Sequence, residues 1–383
     1  MNKLISFLGI AAIATAAGCD CKDQQSAGGG ADLGIKVSDW GKAPDGSPVQ
    51  LYTLTDGKGM TVRLSNWGAI VQAIEVPDRE GNIADVVLGF DSLDQYVADQ
   101  TFQGAAIGRY GNRIGGAKFT LDGTEYKITD NENGNCLHGG TPGYHKMVWK
   151  AESINAVDAV GVKMTRLSPD GENGFPGNLN VSISFILDSQ SELVIHYEAV
   201  SDKATPVNLT HHMYYNLTGS SKNSILGHEL KMLANRMTPV DAALIPTGEI
   251  TPVKGTPFDF QSAKQIGADI EAADEQLKLG GGYDHNFVFE KADGQLRNQV
   301  TLHDPQSGRT MEILTTEPAI QFYSGNFMKG AIGKDSVPLA YRTGLCLETQ
   351  HYPDSPNKVN FPSTILKQGD KYESTTILRF SAK

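Results

Sequence analysis

Polar clusters that could transfer protons or bind hydroxyl groups interrupt the apolar segments of this chain. The segment NLTHHMYYNL, residues 208–217, carries His211 and His212. Because side chains alternate along a strand, only one of these histidines can face a given pocket. A histidine titrates near neutral pH and suits acid/base catalysis, whereas a buried histidine can also be a satisfied structural group. The residues alone leave that choice open.

A carboxylate lies within a second apolar segment, TGLCLETQHYPDSPN, residues 343–357. In a strand, Cys346, Glu348 and Gln350 share one face, and the leucines between them take the other. Partial burial would raise the pKa of the Glu348 carboxyl towards the range of a general base. The alternative is a charged side chain on an edge strand, paired with an arginine.

Three further clusters place hydrogen-bonding groups beside glycines. His138 precedes two glycines, which let the backbone turn sharply. GRYGNRIGG offers Asn112 and Arg113, which suit sugar hydroxyls and equally a structural ion pair. Asp284 follows a glycine run, but no Lys-Ser/Thr follows to make a phosphate-binding loop. The clusters lack metal-ligand spacing, a nucleophile elbow and a dinucleotide fingerprint, and together they suit a carbohydrate.

The elements that must position these groups are predicted to be strands. Short β-branched and aromatic runs alternate with turn residues, and no long stretch holds a helical period. In KFTLDGTEYKI, Asp122 and Gly123 suit a primed two-residue hairpin turn. Residues 91–99 and 262–270 are the best candidates for short helices. The pattern predicts an all-β fold, a large antiparallel β-sandwich that forms one domain over residues 34–383.

The start of the chain is typical of a bacterial export signal. Lys3 precedes an apolar run that is too short to span a bilayer, and small residues lead to Cys19. Residues 1–18 are therefore predicted to be a signal peptide, Cys19 a lipidation site, and residues 19–33 a flexible tether. An ordinary secretory cleavage site just before this cysteine is the alternative. We expect an exported protein, periplasmic or membrane-anchored.

Charge and cysteine usage exclude several classes of function. The 383 residues carry a formal net charge of -11 at pH 7 and no basic stripe, so nucleic acid is not an expected partner. Outside the leader the cysteines are Cys136 and Cys346. Two buried thiols are the expected arrangement, and a disulfide is the alternative. No zinc or redox pair is present in the sequence.

Six ordered motifs resemble those of the aldose 1-epimerase (galactose mutarotase) family, from about residue 50 to the C-terminus. They are GRYGNRIGG, with Gly111 where the family commonly has Ala, and CLHGG, NLTHHMYYNL, GGYDHNF, QFYSGNF and LCLETQHYPDSPN. The resemblance implies a β-sandwich of the galactose mutarotase type with a shallow sugar cleft on one sheet face. It implies an isomerase that interconverts the α and β anomers of free aldoses, without a cofactor or a metal.

The resemblance also implies roles for individual residues. His212 would be the general acid and Glu348 the general base, while His211 departs from the usual Asn. An imidazolium is needed to protonate the ring oxygen, and a nearby carboxylate would support it by raising the histidine pKa. The residues expected to hold the sugar are Asn112, Arg113, His138, Tyr214, Asp284 and Gln321.

Other classes of function stay open on the residues alone. A non-catalytic sugar-binding lipoprotein would bind without turnover. A glycoside hydrolase would use Asp284 and Glu348 as its paired carboxylates. A phosphosugar epimerase would need additional basic residues in its cleft. The acid/base pair implied by the motifs favours the epimerase.

Overall fold

Antiparallel strands joined by short turns make up most of the chain. The computed structural model describes residues 33–383. The predicted signal peptide, the Cys19 lipidation site and the tether up to residue 32 lie outside the described residues. The strands are, in chain order, β1 (Gly34–Lys42), β2 (Pro48–Thr55), β3 (Thr61–Ser65), β4 (Ile70–Pro77), β5 (Ile83–Asp85), β6 (Ala105–Ile107), β7 (Arg113–Ile114), β8 (Lys118–Leu121), β9 (Thr124–Lys127), β10 (Cys136–Leu137), β11 (Lys150–Asn155), β12 (Ala159–Ser168), β13 (Leu179–Asp188), β14 (Glu192–Ser201), β15 (Thr205–Pro206), β16 (Thr210–His212), β17 (Tyr214–Tyr215), β18 (Glu229–Met232), β19 (Ala234–Thr238), β20 (Thr251–Pro252), β21 (Lys264–Gln265), β22 (Asp284–Phe289), β23 (Arg297–His303), β24 (Arg309–Thr315), β25 (Ala319–Tyr323), β26 (Ala331–Ile332), β27 (Pro338–Leu339), β28 (Leu345–Gln350), β29 (Ile365–Leu366) and β30 (Lys371–Ala382).

Three large sheets surround the core. Their strand orders are β1-β2-β3-β4-β5, β17-β28-β25-β22-β19-β20 and β11-β12-β13-β14-β30-β24-β23-β18-β21, and neighbours pair antiparallel. Apolar side chains from all three sheets, such as Leu54, Ile183 and Phe287, form one buried cluster. This packing confirms the predicted all-β, antiparallel sandwich.

Turn chemistry at the predicted hairpin is also confirmed. Asp122 and Gly123 connect β8 to β9, and their φ values are 50° and 79°. Positive φ at both central residues is the requirement of a type I′ turn, whose twist matches that of the flanking strands.

Helices are short and lie in connections, and α1 (Leu93–Ala98) forms within the predicted residues 91–99. Its N-cap Ser92 accepts a hydrogen bond from the Gln95 backbone N–H, and the Gln95 side chain accepts one from the Ser92 N–H, a capping box. Besides α1 and a second short α-helix, the described residues contain single 3-10 turns at Gly115–Ala117, Tyr144–Lys146, Glu172–Gly174, Ile225–Gly227, Ile266–Ala268, Lys334–Ser336 and Ser355–Asn357.

The helix predicted over residues 262–270 is wrong. Lys264 and Gln265 of that segment form β21, which pairs with β18 at the edge of the nine-stranded sheet, and only one 3-10 turn follows. Sheet pairing there outweighs the local helical preference. Instead, α2 (Glu275–Gly280) begins after Asp274, whose carboxylate accepts hydrogen bonds from the N–H groups of Gln276 and Leu277.

Both predicted thiols are confirmed, because Cys136 and Cys346 are free and buried. Within residues 33–383, no helix has the length and hydropathy that a membrane crossing requires.

Candidate active site

One face of the six-stranded sheet collects several of the predicted residues. Gln321 in β25 lies opposite Glu348 in β28, and the Gln321 amide donates a hydrogen bond of 2.7 Å to Asp284 in β22. Tyr214 in β17 lies opposite Cys346. Because side chains two residues apart share a face, β28 directs Cys346 and Glu348 to the same side. β28 is flanked by β17 and β25, so the interpretation of Glu348 as an edge-strand charge is wrong.

The two adjacent histidines of β16 have different surroundings, as strand alternation predicts. His211 donates from Nε2 to the Gly104 carbonyl oxygen, 3.0 Å away, and packs edge-on against Phe185 in the core. His212 points the other way, and its Nε2 lies 3.8 Å from Oε1 of Glu348. Only His212 reaches the cavity described below.

Asn112 and His138 are held together by their backbones. The His138 N–H donates to the Asn112 carbonyl oxygen at 3.0 Å, and the Asn112 N–H donates to Nδ1 of His138 at 3.2 Å. Both residues have positive φ, 60° and 52°. A Cβ on Gly139 would lie 2.2 Å from the Gly108 carbonyl oxygen, so the loop can approach this closely only with glycine. Because Nδ1 of His138 accepts, Nε2 carries the hydrogen.

That tautomer bears on metal binding. His138, His212 and Glu348 each offer a ligand-type atom, and these atoms lie within 4.8 Å of one another. A metal-bound histidine usually donates its second ring N–H to an acceptor. His138 cannot do so, since its Nδ1 accepts a backbone N–H and its Nε2 is protonated. The three side chains therefore fit a hydroxyl-bearing ligand better than a metal ion.

Arg113 combines both roles that its sequence context allowed. Its Nε and Nη2 form a fork with the two carboxylate oxygens of Glu132, each at 2.6 Å, and its side chain also lines the cavity. Burial lowers the pKa of the guanidinium, but the hydrogen bonds to Glu132 and the charge of Asp284 outweigh burial and raise it. Arg113 is therefore a fixed cation. Glu132 was missed in the sequence, although it lies six residues before His138.

These side chains line a cavity of about 420 Å³. Phe102, at a φ of 60°, forms an apolar wall, with ring centroids 4.6 Å from His138 and 5.7 Å from His212. Gln321 does not line the cavity but lies behind Asp284 and orients it. The predicted residues that do line it are Asn112, Arg113, His138, His212, Tyr214, Asp284 and Glu348.

Burial dominates the electrostatics of the cavity. Burial, followed by the charge of Asp284, raises the pKa of the Glu348 carboxyl well above its ordinary value, against the opposing charge of Arg113. Burial lowers the pKa of His212 to about 4 and that of His138 well below its ordinary value. Glu348 does lie beside His212, but the expected rise in the histidine pKa is wrong, because burial lowers that pKa. A proton shared by Glu348 and His212 therefore resides mainly on the carboxyl.

A buried carboxyl on one sheet of a β-sandwich faces a buried histidine on the separate strand β16, among fixed hydrogen-bonding groups. This arrangement is typical of a class of sugar-binding, proton-transferring proteins. The family profile described as Aldose 1-epimerase matches residues 50–379. This chain is 42% identical to the galactose mutarotase of Bos taurus over 323 residues, 84% of this chain and 91% of that protein. It is 38% identical to the aldose 1-epimerase of Escherichia coli (strain K12) over 346 residues, 89% of this chain and 98% of that protein.

Solved structures agree with these relatives. The crystal structure of galactose 1-epimerase from Lactobacillus acidophilus NCFM superposes with a TM-score of 0.81 at 26% identity, over 92% of this chain and 99% of that chain. This chain belongs to the aldose 1-epimerase family. The family and the isomerase class that the six motifs indicate are thereby confirmed.

Proposed function

We propose that this protein interconverts the α and β anomers of free aldoses of the glucose and galactose class by acid/base ring opening and closure. Relatives at 42% and 38% identity over most of the chain support anomer interconversion. One observation carries the assignment of the two catalytic residues. Nε2 of His212 and Oε1 of Glu348 lie 3.8 Å apart, both side chains buried, in a cavity of about 420 Å³.

In this mechanism Glu348 is the general base and His212 the general acid. Glu348 takes the proton of the anomeric hydroxyl while Nε2 of His212 protonates the ring oxygen, which opens the pyranose to the free aldehyde. Rotation about the bond between carbons one and two, followed by closure with both transfers reversed, yields the other anomer. Each transfer typically contributes about 10² to 10⁴ in rate.

The pair carries one proton before and after ring opening, because His212 gives one to the ring oxygen while Glu348 takes one from the anomeric hydroxyl. Burial raises the pKa of Glu348 and lowers that of His212. Both shifts make the carboxylate a stronger base and the imidazolium a stronger acid than in water, so the charged form of the pair, although it is the minor form, is the reactive one for ring opening. Two opposed pKa shifts within one pair are the usual mark of acid/base assignments.

Sugar binding is assigned to the remaining polar groups of the cavity. His138 donates from Nε2 and Arg113 from its guanidinium to sugar oxygens. Asp284, oriented by Gln321, accepts from hydroxyls. The Tyr214 hydroxyl already donates to the Thr101 carbonyl oxygen at 3.0 Å, so only its oxygen lone pairs serve the sugar. Asn112 completes the set beside His138.

Polarimetry of freshly dissolved α-D-glucose and α-D-galactose tests the activity. The unmutated protein and a His303→Asn control, altered on β23 away from the cavity, should accelerate the relaxation, and His212→Asn should not. Binding of sugar without faster relaxation would instead indicate a non-catalytic sugar-binding protein. Release of reducing sugar from an aryl glycoside would indicate a glycoside hydrolase.

We also propose that the protein is exported by a bacterium as a lipoprotein. The export-type leader of residues 1–18 supports cleavage before Cys19, lipidation of this cysteine and a tether over residues 19–33. The enzyme would then convert anomers outside the cytoplasm, beside sugar uptake. Radioactive palmitate should label the expressed chain and a Cys21→Ala control but not Cys19→Ala. Absence of label from the unmutated chain would indicate a soluble periplasmic protein.

A further inference from the structure

Strand β28 contacts the His212 imidazole at both nitrogens. Sγ of Cys346 lies 3.5 Å from Nδ1, and Oε1 of Glu348 lies 3.8 Å from Nε2. Residues two apart in a strand are separated by about 6.6 Å and face the same side, so their side chains can flank a five-membered ring. One strand thus supplies the base of the acid/base pair and a partner for the far side of the acid.

We propose that Cys346 is a positioning residue, which holds His212 in the Nδ1–H tautomer and leaves Nε2 to exchange a proton with the sugar ring oxygen. This role rests on the proposed function, because it assigns the face of the imidazole that the reaction uses. The sulfur accepts the hydrogen bond from Nδ1–H and does not touch the sugar.

The direction of this hydrogen bond follows from what faces Nε2. If the thiol donated to Nδ1, neutral His212 would carry its hydrogen on Nε2, pointing at a protonated Glu348 carboxyl. If Nδ1–H donates to sulfur, the Nε2 lone pair faces that carboxyl, 3.8 Å away. Only the second arrangement lets Nε2 take back the ring-oxygen proton when the pyranose closes.

A sulfur partner suits an acid that must protonate a weakly basic ether oxygen. A carboxylate beside Nδ1 would raise the histidine pKa and weaken the acid. Sulfur is a weak acceptor, and burial raises the pKa of the Cys346 thiol well above its ordinary value, so the sulfur adds no negative charge. Cys346 can therefore orient the ring while His212 keeps its low pKa.

Other side chains pack on the ring without replacing this contact, while a hydrogen bond to the backbone of His212 itself raises the pKa of the ring against the larger effect of burial. The centroids of Tyr214 and His138 lie 5.0 Å and 5.1 Å from that of His212. These aromatic contacts restrain the ring plane but do not select a tautomer. The titratable and charged groups that surround the acid/base pair are His211, His138, His145, Tyr214, Cys346, Glu348, Asp284 and Arg113.

The test compares Cys346→Ala and Cys346→Ser with Cys136→Ala, which alters the other buried free thiol. ¹⁵N NMR of histidine-labelled protein, with the His212 signals assigned from His212→Asn, reports the tautomer. The unmutated protein and Cys136→Ala should show Nδ1–H at His212. Cys346→Ala should show both tautomers, and Cys346→Ser should keep Nδ1–H because a hydroxyl oxygen also accepts.

Polarimetry on the same variants gives the second readout. Loss of one weak hydrogen bond should lower kcat of Cys346→Ala about five- to tenfold with KM unchanged, and Cys346→Ser should stay within about twofold. An Nε2–H tautomer in the unmutated protein, or an unchanged tautomer and kcat in Cys346→Ala, would overturn the proposal. If Cys346→Ala does not fold, the proposal is tested by the tautomer of the unmutated protein, which should be Nδ1–H, and by the kcat of Cys346→Ser, which should stay within about twofold.

The two proposals fail separately. An unmutated protein without mutarotase activity whose His212 tautomer still responds to Cys346 would defeat the proposed function alone. An active protein whose tautomer does not respond would defeat the role of Cys346 alone.

Discussion

Replacing Glu348 with glutamine removes the proposed proton acceptor and keeps the size of the side chain. Glu348 is 2% exposed, and within the described residues its Oε2 has no hydrogen-bond partner. The opposing residue Gln321 has an unpartnered Oε1, to which the new amide can donate. We therefore expect Glu348→Gln to fold normally and to lose almost all activity.

The expected magnitudes have opposite signs for activity and stability. A general base contributes about 10² to 10⁴ in rate, or about 2.7 to 5.4 kcal/mol at about 1.36 kcal/mol per factor of ten. Burial raises the pKa of Glu348 well above its ordinary value. The carboxyl therefore destabilises the folded state increasingly as pH rises from the unfolded pKa of about 4.3 to the folded pKa. Glutamine removes this penalty, so the variant should be more stable, with a larger gain at higher pH.

Polarimetry with α-D-galactose, corrected for spontaneous mutarotation, measures the loss of activity in Glu348→Gln. Thermal unfolding near pH 4 and near pH 8 measures the gain in stability of this variant. Glu152→Gln is the matched control, because this residue is exposed on β11 and distant from the cavity lining. A kcat/KM of Glu348→Gln within about threefold of the unmutated value would refute the base assignment. A Tm shift that is the same at both pH values would refute the burial argument.

Three further outcomes are expected. The pH profile of kcat/KM should be bell-shaped. Activity should fall as pH drops towards about 4, where His212 and the Glu348 carboxyl are both protonated, and again above the raised pKa of that carboxyl, where the pair has lost its proton. A flat profile between about pH 3 and pH 10 would contradict the shared proton. Glu132→Gln should release the fork that holds Arg113 and raise KM about tenfold with a smaller change in kcat, and an unchanged KM would exclude this orienting role. Glu317 raises the pKa of the partly buried His351, whose Nδ1 lies 2.7 Å from the Glu317 carboxylate, although burial opposes the rise. A raised histidine pKa stabilises the fold below the unfolded pKa of about 6.5, and this stabilisation is lost as pH rises through the folded pKa. Tm of the unmutated protein should therefore fall with pH in this range more steeply than Tm of His351→Gln.

Local and tertiary signals account for different parts of the fold. The Asp122-Gly123 turn was predictable because it requires only two adjacent residues that tolerate positive φ. Residues 262–270 were not, because β21 forms by pairing with β18, which is distant along the chain. A short polar segment responds to such a neighbour more than to its own helical preference.

The candidate site likewise contains residues that the sequence could nominate and residues that only the tertiary structure revealed. Residue types and ordered motifs were sufficient to nominate His212, Glu348 and the sugar-binding groups, because catalysis needs those chemical groups in any arrangement. The fork between Arg113 and Glu132 gave no signal, since the choice between a sugar contact and an ion pair depends on where another loop lies. Phe102 gave none either, because an apolar residue in a connection resembles any packing residue.

The sequence by itself determined the all-β class and the family, since these follow from local periodicity and from residue types in order, and its motifs nominated His212 and Glu348 as the proposed acid and base. The tertiary structure alone decided which nitrogen of each histidine faces the cavity, which groups accept their hydrogens, and how far burial moves the pKa values of His212 and Glu348. Those properties depend on the atoms that surround each side chain in the folded protein. They arise where β16, β22, β25 and β28 meet, and no one segment of the chain contains them.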